Sequence, residues 1–123
     1  ITAARKADAM PFILLNPKIY DEILRLRRLT GLQPAVYTPF YVGDHDIEHA
    51  RDVLARYVER RGYTMDRLAE GLEALTMVGG MDRICGRIRS LWRSGAMTVV
   101  GYPALLDKIQ IALFSRALEN SSL

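Results

Sequence analysis

Apolar positions recur at helical spacing along most of this chain. Residues 1–8 are alanine-rich and read as helical, Pro11 interrupts them, and 12–15 form a short apolar connector. Asn16 followed by Pro17 is a helix start signal, an N-cap residue with proline at the first helical position. The helix it opens runs to about Thr30 and stops at Gly31. Ile19, Ile23 and Leu26 share one of its faces, while Lys18, Arg25 and Arg28 share the opposite one with Asp21 among them.

Residues 31–43 break this pattern. They hold Gly31, Pro34, Pro39 and Gly43 together with Tyr37, Phe40 and Tyr41, and read as an extended linker pinned by aromatic side chains. Helical spacing then resumes. Asp44 caps a helix over about 45–61, with Ile47, Ala50, Leu54, Tyr57 and Val58 inward and Gly62 at its end. Thr64 caps one over about 65–77, with Leu68, Leu72 and Leu75 inward. After Gly79 and Gly80 comes a helix over about 81–94, with Met81, Ile84, Ile88, Leu91 and Trp92 inward and Gly95 at its end. Residues 96–100 read as a short strand or a buried turn, and a last helix spans about 104–119. Helices joined by short turns predict an all-α protein: a helical arm and linker over 1–43, then a four-helix bundle over 44–123.

The last helix is apolar around most of its circumference, its only charges from Ala104 to Leu118 being Asp107, Lys108 and Arg116. Such a helix must be buried, either at a bundle centre or between subunits. Leu105, Leu106, Ile109 and Leu113 form the expected intramolecular face, and Ile111 the outward one.

Charge changes the picture more than composition does. The chain has 123 residues, enough for one domain, and a net charge of +3. Residues 1–34 hold six basic groups, Arg5, Lys6, Lys18, Arg25, Arg27 and Arg28, against three acids; the remainder cancels at eleven of each sign. A basic first quarter on a neutral body suits a polyanion, or simply a solvated helix face. Arginine outnumbers lysine fourteen to three, and the planar guanidinium fork matches phosphate. The single Cys85 excludes an intrachain disulfide. No apolar run approaches the ~18 residues of a membrane span, and no signal-peptide pattern stands at the start. Ile1 in place of an initiator methionine is what a trimmed or processed chain, or one lacking a few leading residues, would show.

Catalytic patterns are sparse. His45 and His49 stand one helical turn apart without a third ligand, which reads as a solvated first turn rather than a metal site. Nucleophile-elbow, P-loop and dinucleotide fingerprints are absent, so neither enzymatic activity nor a cofactor is expected. Arg83, Arg87, Arg89 and Arg93 crowd one short helix. With the helix before it and a β-branched run after it, residues 64–100 look somewhat like a winged-helix regulator, with Arg83, Arg87 and Arg93 entering a major groove.

A basic helical arm, a Pro/Tyr linker, and a neutral bundle ending in a very apolar helix together resemble the major coat proteins of filamentous double-stranded DNA viruses of hyperthermophilic archaea. The resemblance is one of layout over the whole chain. It implies a structural protein of the virion that wraps A-form duplex DNA and assembles with copies of itself, or with a related second coat protein, into a helical filament. Some members carry a membrane envelope; no small-molecule substrate is implied. Carried onto this sequence, the DNA-facing residues are Arg5, Lys6, Lys18, Arg25, Arg27 and Arg28, with Arg51, Arg60 and Arg61 on the adjoining helix. The regulator remains the alternative; it places the DNA contacts at 81–93 instead.

Overall fold

The helices stop where local chemistry stops them. The computed structural model describes residues 11–43, 47–60 and 72–121. Helix α1 (Ile19–Thr30) ends at Gly31, whose φ of 72° admits the left-handed conformation and whose N–H reaches the Arg27 carbonyl at 2.8 Å. Before it, Asn16 makes a turn rather than a cap: its Oδ1 accepts from the Lys18 N–H at 2.9 Å and its amide donates to Glu22 at 3.0 Å. Helix α2 spans Ile47–Arg60, the single turn α3 spans Leu72–Leu75, and α4 spans Met81–Ser94. Helix α5 begins later than its apolar pattern suggests, at Lys108, because the Asp107 carboxylate caps it, accepting from the Ile109 N–H at 2.9 Å; it ends at Asn120.

Among the described residues four strands lie between the helices, so the expected all-α fold, with its linker and bundle, is corrected to an α/β fold. The strands are β1 (Phe12–Leu14), β2 (Ala35–Val42), β3 (Met77–Gly79) and β4 (Thr98–Pro103), and every pairing is parallel. The stretch read as a linker is the central strand, β2. Strand β4 pairs with it along Ala35–Phe40, β1 with Ala35–Tyr37 and β3 with Phe40–Val42. A strand has two edges, and β4 occupies one over positions that both other partners also use. Strands β1 and β3 therefore lie in line along the opposite edge.

This arrangement explains the proline that disguised β2. On the β1/β3 edge the ladder uses Ala35 N–H to Pro11 O, Leu15 N–H to Tyr37 O and Gly43 N–H to Gly79 O. Pro39 has the same parity, so its missing N–H faces the gap where β1 has ended and β3 has not begun. No ladder bond is lost there. The Pro39 carbonyl accepts from the buried Thr38 hydroxyl at 2.9 Å.

The two faces of the sheet are covered unequally. Ile13, Val36, Phe40, Met77 and Val99 point to one face, where Ile19 and Ile23 of α1, Ile84, Ile88 and Leu91 of α4, and Phe114 and Ala117 of α5 complete the core. Phe114 stacks on Phe40 with ring centroids 4.1 Å apart. Gly101 makes room for the stack, since a Cβ there would lie 2.5 Å from Phe114 and 2.7 Å from Phe40. On the other face α2 covers the carboxyl half, Leu54 packing on Tyr41, Val78 and Ala104. The β1–β2 and β3–β4 connections move across the sheet in one direction with their helices on the first face. The β2–β3 connection moves back with α2 on the second. All three therefore share one hand, as parallel crossovers do.

Helix α5 is seated on Gln110, Phe114 and Ala117 rather than on the face its apolar residues suggest. Leu106 and Ile109 are 96% and 65% exposed. The reason is polar. Strand β4 ends opposite Phe40, leaving the N–H and C=O of Val42 without a strand partner on that edge. The buried Gln110 amide takes both, accepting from Val42 N–H at 2.7 Å and donating to its carbonyl at 2.9 Å.

Candidate functional site

Parallel strands all end at one edge of a sheet, and ligands of open α/β folds bind where neighbouring strands send their helices to opposite faces. Strands β2 and β4 do so, with α2 on the second face and α5 on the first. Between α2 and the loop leaving β4 lies a crevice of about 380 Å³, lined by Val53, Arg56, Glu59, Arg60, Ala104 and Leu105. Its floor is fixed by Leu54, fully buried beneath α2, and by Ala104, whose N–H extends the β4 ladder to the Phe40 carbonyl at 3.1 Å. Its wall carries two arginines one helical turn apart, with the Arg60 Nε donating to the Arg56 carbonyl at 3.4 Å. Both are exposed, and Glu59 lines the crevice with them.

The same edge receives the amino end of α4. Its N-cap is Gly80, which offers no side-chain acceptor, and the Gly43 N–H meets the Gly79 carbonyl beside it at 2.7 Å. The amino end of this fourteen-residue helix carries a partial positive charge, with Asp82 in its first turn. An arginine pair of this kind offers forked donors to a phosphate or carboxylate.

The residues expected to face DNA do not converge. Lys18, Arg25, Arg27 and Arg28 are exposed along α1 on the first face of the sheet, whereas Arg51 and Arg60 are exposed on α2 across the other. Arg27 donates to the Ser94 carbonyl at 3.3 Å, tying the ends of α1 and α4 together. Arg5, Lys6 and Arg61 lie outside the described residues, as do His45 and most of the helix expected over 65–77. On α4, Arg87 donates to the Thr76 carbonyl and Arg89 to that of Asn120 at 2.9 Å, so both brace the domain. Arg83 lies over Gly79, where a Cβ would come within 2.8 Å of its Cδ. His49 is exposed, and Cys85 is buried with its thiol directed at the Ala117 carbonyl, 3.7 Å away. Among the described residues no three His, Cys, Asp or Glu side chains gather to hold a metal ion, and no helix is long and apolar enough to cross a membrane.

Arg56 and Glu59 were not singled out by the sequence. The i, i+4 pair of Arg56 and Arg60 was the available signal, but the crevice exists only once Ala104 and Leu105 arrive from a distant part of the chain. No protein-family model, curated protein or solved structure matches this chain.

Proposed function

We propose that this is a ligand-binding α/β domain whose carboxyl-edge crevice takes a small anionic molecule bearing a phosphate or carboxylate. The observation that carries the reading is the pair Arg56 and Arg60 in a concave site where the topology of an open parallel sheet directs ligands. The apolar side of the crevice, Val53, Ala104 and Leu105, suits a ligand whose remainder is uncharged. Titration calorimetry with inorganic pyrophosphate and with a nucleoside monophosphate tests it. Binding is expected to weaken at least about tenfold when Arg56 and Arg60 are both changed to alanine, the loss of one or more charge-assisted hydrogen bonds. Changing Arg25 and Arg28 on α1 should leave it unaltered. Binding that is absent, or indifferent to Arg56 and Arg60, overturns the reading.

A second reading, the DNA-wrapping coat protein, is favoured by the common exposure of Lys18, Arg25 and Arg28 along α1. It calls for duplex binding that falls steeply with salt, that is lost when these three become alanine, and that accompanies filaments in electron micrographs. Arg60 belongs to both readings, so the α1 variants separate them: duplex binding should need Lys18, Arg25 and Arg28, and pyrophosphate binding should not.

A further inference from the structure

Among the described residues no helix lies over the amino half of the sheet's second face, although parallel sheets are ordinarily covered on both faces. Phe12, Tyr37 and Tyr102, from β1, β2 and β4, form one aromatic row across three strands. Their ring centroids are spaced 5.2 and 5.7 Å, with interplanar angles of 37° and 54°. Tyr57 reaches in from α2, and with Leu14 and Pro39 these residues line a cavity of about 340 Å³. It is distinct from the arginine crevice. Both touch α2, but one meets Tyr57 and the other Arg56 and Arg60.

We propose that this cavity is a second binding site, for a neutral planar aromatic molecule of one or two fused rings. Three features select that chemistry. The described lining residues include no charged side chain, so an ion entering would give up hydration without meeting an opposite charge among them. The walls are mostly π-faces set at angles to one another, which offer a flat guest stacked and edge-to-face contacts together. The volume stands at the lower end of the range for small-molecule sites, about 300–1,000 Å³, too small for an extended ligand. Phe12, 63% exposed at the open end, holds no core together and marks the entrance.

The test uses the intact chain and 2-naphthol, followed by ligand-observed saturation-transfer NMR and by titration calorimetry. The expected result is saturable binding that weakens roughly tenfold in Tyr37→Ala and in Phe12→Ala, as loss of an aromatic contact and its buried area requires. Tyr37→Phe should retain it. Phe12→Ala serves where Tyr37→Ala disturbs the fold, and circular dichroism checks both. Leu106→Ser, at an exposed apolar position in the loop before α5, should have no effect. Absence of binding at millimolar 2-naphthol overturns the proposal, as does binding indifferent to Tyr37 and Phe12. It is overturned too if the wild-type chain dimerises and Phe12→Ala makes it monomeric without altering 2-naphthol binding, since the face would then belong to a second copy. Pyrophosphate titration of the same variants should be unchanged, so failure here and failure at the arginine crevice are told apart.

Discussion

The two faces of the sheet carry side chains from the same strands yet do different work. Toward α1, α4 and α5 the strands present Val36, Phe40, Met77 and Val99, all nearly inaccessible, closed by the stacked pair Phe40 and Phe114. Toward α2 they present Phe12, 63% exposed, and the half-buried Tyr37 and Tyr102 along the amino half, with one cavity reaching Tyr57 of the helix and another its Arg56 and Arg60. Alternation along each strand therefore separates a face that stabilises from a face that is free to bind. On β2 both sets are apolar or aromatic apart from the buried Thr38, so the alternation carries no outward polar signal. The difference lies in which helices cover which face.

The comparison breaks most severely on the closed face. Phe114→Ala should destabilise the protein by about 3–5 kcal/mol, read from urea unfolding, because the cavity opens against rigid strands. A loss under about 1 kcal/mol would mean that the Phe40–Phe114 stack is not a core contact. Next comes the clamp on Val42. Gln110→Ala leaves a buried N–H and C=O unmet, which should cost about 1–3 kcal/mol per group; exchange of the Val42 amide hydrogen should accelerate with it. If that amide exchanges no faster, the Gln110 bonds do not protect the end of β2.

Changes on the open side should act on binding and spare stability. Replacing Arg56 and Arg60 by alanine should shift unfolding free energy by no more than about 0.5 kcal/mol per site, while pyrophosphate affinity falls. A large loss of stability would make the pair structural. The smallest effect on the fold is expected from Ile111→Glu on α5, a position 49% exposed. Its melting temperature should barely move. A loss of self-association measured by analytical ultracentrifugation would show that the outward stripe of α5 joins copies of the chain, and an unfolded variant would place Ile111 in the core.

Much of the helical framework was legible in advance. The helix over 81–94 lies where its spacing and its glycine boundaries put it, and Ile84, Ile88 and Leu91 are buried as expected. Gly31 ends α1 as read, and Ile19 and Ile23 face inward. The candidate crevice was half legible, through Arg60 alone. Its partner wall depends on contacts between Leu54, Val78 and Ala104 that no local pattern encodes.

The carboxyl ends of α1 and α4 were decided by the sequence itself, because a helix closes its hydrogen bonds four residues away and its stop signals are single residues such as Gly31 and Gly95. The sheet was decided only in three dimensions. Strands of three residues such as β1 and β3 have too few positions to show a period, and β2 carries a proline that local rules count against a central strand. Pro39 is harmless solely because β1 and β3 leave a gap opposite it, a fact about two other segments. The seating of α5 was decided in the same way. Its apolar residues would choose one face, but the two backbone groups left open at Val42 draw in Gln110, and the helix turns with it. Leaving two buried backbone groups unpaired carries a cost comparable to exposing a leucine and an isoleucine, so the polar contact can offset the apolar pattern in seating the helix.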